Sequence, residues 1–329
     1  MNEIDFVIIW VDNTDPQWQA ERMKYTDEDT STLYMNKNDC RYRDWGTLKY
    51  WFRSVEQYAP WVRKIHFVTC GHYPDWLNLE QPKLHFVKHS DFIPSEYLPT
   101  FSSVPIELNL HRINGLAEKF VYFNDDVFVA ASVEPTDFFI NGLPRDVAIR
   151  KFPNIYDIGH IELNCINIIN KEFSYAHQFK SNLFKWMNYR YGIRCLQNMF
   201  FLPYGDFTGV FNAHVANAYN KTTFTDVWDK YGSILHQTCQ HRFRTQMDVS
   251  QWVFKYWQLV SGSFYPQWIN YSKFIEIYNT EEIRKVLKQK KTKQICLNDC
   301  ESINDIKLLK DKIIGIFQEV FPEKSSYER

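Results

Sequence analysis

The sequence has little glycine and proline and no excess of either charge. Of its 329 residues, 11 are glycine and 13 are proline, which excludes a collagen-like or low-complexity chain. Lysine and arginine total 38 against 39 aspartate and glutamate, so no global basic excess exists to bind a nucleic-acid backbone. Because 45% of the residues are hydrophobic, we expect a globular protein with a buried core and no nucleic-acid partner.

Long apolar segments are also absent. No run approaches the roughly 20 apolar residues that a membrane-spanning helix requires, and the first residues lack the basic and apolar stretches of a secretory signal. We therefore expect a cytoplasmic protein. A basic run at residues 288–293 predicts a solvated surface, with contact to anionic lipid or glycan as the alternative.

Cysteines are few and carry no metal-binding pattern. The seven are odd in number, scattered, and include no Cys-x-x-Cys pair. Cys296 and Cys300 have no second Cys/His pair nearby at zinc-finger spacing. We expect buried thiols at the seven positions, which are Cys40, Cys70, Cys165, Cys195, Cys239, Cys296 and Cys300.

Against these absences stands a clear strand at the start of the chain. Residues 4–11 are nearly all apolar and end in a cluster of turn-forming residues, 12–16. Apolarity on both faces is typical of a strand within a covered parallel sheet. Ligands of open α/β sheets bind at the carboxyl ends of strands, so we expect function at Asp12 and Asp15.

Helical and strand patterns then alternate. Apolar residues at helical spacing predict a helix over 45–58, and short apolar stretches predict strands at 64–69, 84–87 and 120–123. This alternation indicates βαβ units. We predict an α/β fold whose first 150 residues form a Rossmann-like, mostly parallel sheet with flanking helices.

The second half of the sequence is less regular. Segments 173–189, 249–261 and 303–320 have the patterns of helices. Neither an internal repeat nor a Gly/Ser linker marks a domain boundary. We therefore predict a single unit, 1–329, in which a largely helical portion, 151–329, completes the site formed by the first portion.

Two adjacent acids follow the strand predicted at 120–123. Asn124, Asp125 and Asp126 interrupt an otherwise apolar stretch. Like charges so close resist full ionisation unless a cation or hydrogen-bond donors compensate. The pair is therefore a candidate Mg²⁺ or Mn²⁺ site or a general base, with a turn carrying solvated acids as the alternative.

A second polar group precedes the acidic pair. Asn109, His111 and Arg112 lie on a predicted helix whose start near Ser102 would offer backbone N–H groups. Arginine has a planar donor fork that matches phosphate oxygens. These residues could bind phosphate or simply lie on a helix surface.

Later polar residues are isolated in the sequence. His214 precedes a predicted helix, and a lone histidine is more often structural than catalytic. Arg242 and Arg244 alternate, so only one can face a given site on an extended strand. Asn298 and Asp299 follow an apolar stretch as Asn124 and Asp125 do, which predicts a second strand end at the same cleft.

In order and spacing, these segments resemble the Stealth family of sugar-phosphate transferases almost end to end. Two departures from the family pattern are Asn13, where glycine is usual, and residues 215–217, which lack a common Pro-His. The matching segments are DFVIIWVDNTDP at 5–16, RYRD at 41–44, SVE at 54–56, APWVR at 59–63, LPTFSS at 98–103, NLHRI at 109–113, NDDV at 124–127, AH at 213–214 with Arg244 and Asp248, CLND at 296–299, and FPEKSSYE at 321–328.

The resemblance implies a reaction. Family members transfer a hexose-1-phosphate or N-acetylhexosamine-1-phosphate from a UDP-sugar to a glycan hydroxyl, forming a phosphodiester and releasing UMP. The implied setting is capsular or cell-surface polysaccharide biosynthesis. The implied partners are a UDP-sugar donor, a glycan or lipid-linked glycan acceptor and Mg²⁺ or Mn²⁺, with peripheral contact at the inner face of a bacterial membrane where the acceptor is lipid-linked.

The resemblance also assigns roles by position. Asp126, together with Asp125, is expected to bind the metal or take the acceptor proton, with His214 as the rival base. Arg244 and Arg112 are expected to hold the diphosphate. The further substrate-binding residues expected are Asp12, Asp15, Arg43, Asn109, His111, Asp248, Asn298 and Asp299.

Two other functions fit parts of the sequence. A metal-dependent glycosyltransferase would also use clustered aspartates at a strand end, but it would release UDP and form a glycosidic bond. A noncatalytic glycan-binding protein is the second alternative, since the chain has 11 tryptophans and 20 tyrosines whose faces can stack on sugars.

Overall fold

A computed structural model describes residues 3–26, 42–153, 159–212, 214–300, 303 and 305–329. Cys40, Arg41 and Ala213, which were part of the sequence predictions, lie outside these residues.

The strands are β1 Ile4–Ile9, β2 Ile65–Thr69, β3 Leu84–Lys88, β4 Lys119–Phe123, β5 Val127–Val129, β6 Phe139–Ile140, β7 Leu143–Asp146, β8 Asn217–Asn220, β9 Tyr265–Pro266, β10 Ser272–Glu276 and β11 Gln294–Asn298. The helices are α1 Pro16–Thr26, α2 Leu48–Tyr58, α3 Ser103–Asn109, α4 Pro135–Phe138, α5 Gly159–Glu172, α6 Tyr175–Ser181, α7 Leu183–Trp186, α8 Gln197–Phe200, α9 Lys221–Cys239, α10 Trp252–Val260, α11 Thr280–Gln289 and α12 Ile306–Val320.

The predicted α/β fold with a Rossmann-like, mostly parallel sheet is confirmed. In the described residues the central sheet has the strand order β3-β2-β1-β4-β8. Strand β1 is parallel to β2 and β4, β2 is parallel to β3, and β8 is an antiparallel edge strand. Strands β10, β11 and β5 form a separate small sheet, which together with β8 ties the two portions of the chain to each other.

Both faces of the central sheet are covered, as the apolarity of β1 predicts. Phe6 and Ile8 pack into a core formed with α2 and α12, whereas Val7 packs into the opposite core formed with α3, α5, α9 and α10. Successive residues of a strand face opposite sides of a sheet. A strand buried on both faces must therefore be apolar at every position.

The order of the strands creates a topological switch point. The chain runs from β1 outward to β2 and β3, and then returns to β4 on the other side of β1. Open α/β sheets bind ligands in the crevice outside the carboxyl ends of the strands at such a point. The carboxyl ends of β1 and β4 are therefore the place to look for a site.

The prediction of one helix over residues 173–189 is wrong. Helix α6 ends at Ser181, α7 ends at Trp186, and residues Tyr189–Leu196 form 3₁₀ turns. Asn182 and Asn188 stand at the breaks, and Asn188 accepts a hydrogen bond from the Arg190 N–H through its side chain. Asparagine side chains compete with helical hydrogen bonds in this way.

The expectation of buried cysteines holds for only part of the set. Cys165, Cys239 and Cys296 are buried, but Cys70 is exposed. Cys70 follows directly after β2, where the sheet opens into a cavity. Its exposure is therefore a consequence of its place at the carboxyl end of a strand.

The longest helix of the described part of the chain is α9, Lys221–Cys239. It carries lysine, aspartate and histidine along its length, and it kinks at Tyr231. Helix α10 is more apolar but spans only Trp252–Val260. Among the described residues, none of the helices meets the length and apolarity needed to cross a bilayer.

A buried ion pair supports the opposite end of β1. Asp5 is fully buried, and its carboxylate accepts hydrogen bonds from Arg63 Nε (2.8 Å) and the Ala117 N–H (2.8 Å), with His66 Nε2 at 2.9 Å. Burial by itself raises the pKa of Asp5, but the bonds from His66, Arg63 and Ala117 bring it below its ordinary value. The ionised carboxylate therefore stabilises the fold at neutral pH and loses that contribution as the pH falls through its lowered pKa.

Replacing Asp5 with Asn should lower the free energy of unfolding by about 3 kcal/mol, because it leaves buried partners of a carboxylate uncompensated. Urea denaturation measures the change. Glu3 is the matched control, since its carboxylate lies 4.0 Å from Arg63 Nε but is 66% exposed. Glu3→Gln should cost under about 0.5 kcal/mol. Equal effects of the two substitutions would contradict a specific role for the buried pair.

Candidate active site

A cavity of about 380 Å³ lies at the carboxyl end of the central sheet. Its volume is within the range of roughly 300–1,000 Å³ typical of ligand pockets. Residues that directly follow four parallel strands line it, and these are Trp10 and Val11 after β1, Cys70 after β2, His89 after β3, and Asn124, Asp125 and Asp126 after β4. The cavity is therefore located at the topological switch point.

The four residues predicted to be catalytic line this one cavity. Asp125 and Asp126 come from the turn between β4 and β5, His214 from the segment before β8, and Arg244 from the loop before α10. Asp125 and Arg244 are more than a hundred positions apart in the sequence, and the fold brings them to the same cavity. Their catalytic roles remain predictions.

The acidic turn is fixed by backbone hydrogen bonds. The Val127 N–H donates to the Asn124 carbonyl (3.2 Å), and the Leu297 N–H donates to the Asp126 carbonyl (2.9 Å). The Cys296 thiol lies 3.4 Å from Asp126 Oδ2. Among the described residues, Asp126 Oδ1 is buried without a hydrogen-bond partner. Strand β11 thus supports the acidic turn, and one carboxylate oxygen stays available to a ligand.

Both acids hold protons more tightly than ordinary aspartates. Desolvation in the cavity, followed by the charges of Asp126 and Asp44, raises the pKa of Asp125 to about 8. Desolvation likewise raises the pKa of Asp126 to about 6, although the Cys296 thiol opposes the rise. Loss of water around a carboxyl produces such shifts, and for Asp125 the like charges nearby add to the rise. A cation at this position would reverse them.

The donor set at the turn fits a magnesium ion that is completed by substrate. The described residues contain no group of three or more His, Cys, Asp or Glu side chains able to hold a metal by themselves. Mg²⁺ is commonly bound by one or two carboxylates together with substrate phosphates and water. The unpartnered Asp126 oxygen and the raised pKa values of Asp125 and Asp126 match that kind of incomplete site.

Arg244 brings a positive charge to the lining of the same cavity. Arg244 donates a hydrogen bond to Ser103 Oγ (3.1 Å), at the start of α3. Beside it, burial raises the pKa of the Glu107 carboxyl, and the charge of Arg244 opposes that rise. The Tyr122 hydroxyl lies 3.1 Å from Glu107 Oε1 and 2.7 Å from Asn124 Oδ1. Tyr122 thereby connects the wall that holds Arg244 to the acidic turn.

His214 has an unusual backbone conformation. Its φ is 45°, and its N–H donates to Asn212 Oδ1 (3.1 Å). Non-glycine residues in this region are uncommon and often belong to functional sites. Desolvation, followed by the charges of Lys255 and Lys151, lowers the pKa of His214 below its ordinary value of 6.5. The imidazole is therefore neutral near pH 7 and able to accept a proton.

Asp12 and Asp15 do not line the cavity, but they hold in place the segment that carries one of its walls. The Thr14 N–H donates to Asp12 Oδ1 (2.8 Å), and Asp15 Oδ1 accepts from the Trp18 N–H (2.9 Å). His72 connects the two, because its Nε2 accepts from the Asp12 N–H (2.9 Å) and its Nδ1 lies 3.6 Å from Asp15 Oδ2. These contacts hold the end of β1 and the start of α1, and so position Trp18 in the cavity wall.

Arg43, Asn298 and Asp299 also lie outside the cavity lining. Arg43 Nη1 donates to both carboxylate oxygens of Asp299, at 2.9 and 3.1 Å, and Trp45 Nε1 donates to the same carboxylate (3.0 Å). Burial raises the pKa of Asp299 in spite of the Arg43 guanidinium. Asn298 donates to Glu276 Oε2 (3.0 Å). These residues tie β11 to the segment before α2 and thereby support the acidic turn.

The predicted phosphate-binding group, at the end of α3 and in the 3₁₀ turn that follows it, does not line the cavity. Asn109 is fully buried and donates to the Pro105 carbonyl (2.8 Å), and the Arg112 guanidinium lies 4.9 Å from the ring centroid of Trp228 on α9. Burial, followed by the charge of Arg112, lowers the pKa of His111 to about 3. Arg112 is therefore placed against α9 rather than where the diphosphate was expected.

Asp248 organises a loop. Its carboxylate accepts hydrogen bonds from the Thr245 N–H and hydroxyl (both 2.8 Å) and lies 2.7 Å from His241 Nδ1. It is buried and does not line the cavity. Since Thr245 directly follows Arg244, these bonds hold Arg244 in position.

Sequence reasoning missed the aromatic wall and Glu107. Both could have been found from position, because Trp10 lies at the end of β1 and Glu107 lies on the helix that begins with Ser103. Trp10 Nε1 is buried without a partner among the described residues. The aromatic residues that line the cavity are Trp10, Trp18, Tyr42, Phe101 and Trp252.

Sequence comparison with known proteins identifies the family of this chain. A family model described as Stealth protein CR2, conserved region 2, matches residues 41–146. A capsular polysaccharide phosphotransferase WcwK of Streptococcus pneumoniae is 43% identical over 332 residues, covering 100% of this chain and 99% of that protein. The receptor polysaccharide phosphotransferase WefC of Streptococcus oralis is 38% identical, with 100% of both chains covered. The exopolysaccharide phosphotransferase cps2G of Lactiplantibacillus plantarum is 36% identical, covering 99% of this chain and 96% of that protein. Because the similarity runs along the whole length and includes the conserved region, this chain belongs to the Stealth family.

Proposed function

We propose that the chain transfers a hexose-1-phosphate or N-acetylhexosamine-1-phosphate from a UDP-sugar to a glycan hydroxyl, releasing UMP. The observation that carries the proposal is the meeting of Asp125, Asp126, His214 and Arg244 in one cavity. Relatives that match along their full lengths are named polysaccharide phosphotransferases. The proposal also places the reaction in the cytoplasm.

The reaction is a displacement at the β-phosphorus. The acceptor oxygen forms a bond to that phosphorus, the bond from it to the oxygen bridging to the α-phosphorus breaks, and UMP leaves with the bonding electrons. The acceptor proton passes to His214 or to Asp126. Phosphoryl transfer of this kind depends mainly on positioning and on charge neutralisation.

The cavity residues supply both requirements. Arg244 offers a planar, permanently charged group that can neutralise phosphate oxygens as the transition state forms. Asp125 and Asp126 would hold Mg²⁺ or Mn²⁺, which when bound would neutralise diphosphate charge. The aromatic wall of Trp10, Trp18 and their neighbours offers stacking surfaces for a base or a sugar.

The role of His214 as the general base is testable through the pH dependence of kcat. Because its pKa lies below 6.5, the neutral base predominates at higher pH, so kcat should stay flat from pH 8 to about 6.5 and fall below that. His214→Ala should lower kcat by about 10²–10⁴-fold and remove this acidic limb. A pH profile of kcat for both proteins measures it. An acidic limb that persists in the variant would assign the acceptor proton to Asp126.

The proposed reaction is tested by its nucleotide product. The protein is incubated with Mg²⁺, a glycan acceptor and each of a panel of UDP-sugars, and UMP and UDP are separated by chromatography. The proposal predicts UMP that depends on acceptor. UDP as the acceptor-dependent product would identify a glycosyltransferase, and glycan binding with neither nucleotide released would identify a binding protein.

A further inference from the structure

A broad exposed apolar surface lies on the helical portion, and none of its residues is assigned a part in the chemistry. Phe184, Ile193 and Phe200 are 86%, 83% and 79% exposed. Exposed aromatic and aliphatic side chains in one region of a protein mark an interaction site when they form a contiguous patch. We call this patch the α7–α8 surface, and its members are Phe152, Phe184, Ile193, Met199, Phe200 and Tyr204, all of them more than half exposed.

The parts of the α7–α8 surface are held side by side. Asn198 on α8 donates to the carbonyls of Trp186 on α7 (2.6 Å) and of Ala148 (2.8 Å), and Gln197 donates to the Arg150 carbonyl (2.8 Å). The rings of Phe152 and Tyr204 lie 5.6 Å apart. The two short helices and the segment around residue 152 are therefore neighbours.

Each short helix has a buried side and an exposed side. Trp186 and Asn198 are fully buried, whereas Phe184 and Phe200, two positions away from them, project outward. The buried pair satisfies the fold, and the outward pair contributes nothing to the core. Large apolar side chains that the core does not use need another explanation.

The segment that carries α6, α7 and α8 contains basic but no acidic residues. From residue 173 to residue 205 the sequence contains no aspartate or glutamate, although the chain as a whole has a net charge of only -1. The basic residues of the segment are Lys180, Lys185, Arg190 and Arg194. Lys180 is exposed and the other three are partly exposed. A basic segment that also presents exposed phenylalanine, isoleucine and methionine is typical of proteins that lie in a membrane interface.

We propose that the α7–α8 surface docks the protein onto an anionic phospholipid membrane. Its apolar side chains would enter the boundary between headgroups and acyl chains, and its basic residues would face the anionic headgroups. Charge complementarity favours this partner over a second copy of the chain, because a two-fold interface would bring the same acid-free segments together. Exposed isoleucine and methionine also do not suit stacking on sugars.

The basic run at residues 288–293, the candidate from the sequence, is less suited to lipid. Lys288 pairs with Glu319, which neutralises part of its charge, whereas Lys291 is exposed. The difference from the α7–α8 surface therefore lies in the apolar side chains. The α7–α8 surface combines basic residues with exposed apolar side chains, which residues 288–293 do not.

The place of the surface agrees with access to the cavity. Phe152 directly follows Lys151, whose charge contributes to the lowered pKa of His214. One edge of the docking surface therefore lies near the His214 side of the cavity. A membrane held there would bring lipid-linked molecules close to the cavity, although the docking itself does not depend on which reaction the cavity performs.

Vesicle co-sedimentation tests the proposal without donor or acceptor, so its outcome is independent of the proposed reaction. Full-length protein is mixed with vesicles of phosphatidylcholine alone or with one-third phosphatidylglycerol, at low and high salt. We expect at least about tenfold tighter binding to the anionic vesicles at low salt, and loss of that preference at high salt. Equal binding to both kinds of vesicle, or none, would overturn the proposal.

Two variants and two matched controls locate the surface. The triple variant Phe184→Ser, Ile193→Ser, Phe200→Ser should weaken vesicle binding at least about tenfold, and Lys180→Glu should weaken it about fivefold or more. Leu308→Ser, 52% exposed on α12, and Lys291→Glu, in the basic run, should leave it unchanged.

Melting temperatures confirm folding, and the salt dependence of the unmodified protein remains decisive if the triple variant fails to fold. If the controls weaken binding as much as the variants, or if the triple variant instead abolishes a dimer seen by sedimentation velocity, the proposal is wrong.

Discussion

Replacing Asp126 with Asn lowers kcat by at least about 10³-fold while the melting temperature stays the same or rises. Activity falls because the carboxylate that would hold the metal or accept the acceptor proton is lost. Stability does not fall, because the side chain keeps its shape and its desolvated charge is removed. Turnover and thermal unfolding of the same preparation measure the two effects.

The stability effect has a definite pH dependence. The pKa of Asp125 is raised from 3.8 to about 8 and that of Asp126 from 3.8 to about 6, so each group favours the folded state while protonated. This contribution is complete below pH 3.8 and is lost as the pH rises through 6 for Asp126 and 8 for Asp125. At pH 8.5 without divalent cations, the Asp125→Asn and Asp126→Asn variants should therefore melt at higher temperature than the unmodified protein.

Magnesium supplies the second readout and the control. Added Mg²⁺ should raise the melting temperature of the unmodified protein at pH 8.5 by a few degrees, and it should not do so for Asp126→Asn. Asp229→Asn, at an exposed position of α9, should retain both the turnover and the response to Mg²⁺. A metal response that survives in Asp126→Asn would place the cation elsewhere.

Replacing Arg244 with Met lowers kcat/KM for the donor by about 10²–10³-fold. The guanidinium lines the cavity beside Ser103 and Glu107, where it is placed to neutralise phosphate oxygens. Arg244→Lys keeps the charge but loses the planar fork, so it should recover only part of the activity. Steady-state kinetics with varied donor concentration measure the loss.

Arg242 is the matched control for Arg244. It is two positions away, and its guanidinium packs over Tyr25, 4.5 Å from the ring centroid, instead of lining the cavity. Arg242→Met should reduce kcat/KM by less than about threefold. Similar losses in the two variants would mean that the loop, and not the Arg244 guanidinium, accounts for the effect.

The fold was largely predictable because its signals are local. Strand β1 shows the apolarity of a strand buried on both faces, and the turn residues that follow it mark the carboxyl end of the sheet. The same reasoning located Asp125 and Asp126 after β4. His214 and Arg244 were only isolated candidates in the sequence, and the family resemblance then gave them their expected roles.

The rest of the site depends on which way side chains face. Arg112 and Glu107 lie close together in sequence, but Arg112 packs against Trp228 while Glu107 reaches the cavity. A helix followed by a 3₁₀ turn changes the direction of successive side chains, and a pattern of residue types does not record that change. Pairings such as Arg43 with Asp299 join distant parts of the chain and become visible only in three dimensions.

The exposed α7–α8 surface was hidden for a similar reason. Residues 173–189 look like one aromatic helix that would bury its apolar side. The breaks at Asn182 and Asn188 instead turn Phe184 and Ile193 outward. These residues are apolar, as the pattern shows, but they would be buried only in a single long helix, which the chain does not form.

The fate of the donor's β-phosphorus tests the central claim most directly. A UDP-sugar carrying radioactive phosphorus at the β-position is incubated with the protein, Mg²⁺ and a glycan acceptor, and the glycan is separated from the nucleotides. The proposed sugar-phosphate transfer predicts that the label moves into the glycan with an equal amount of unlabelled UMP. Label that stays with the nucleotide as UDP, while sugar enters the glycan, would contradict it.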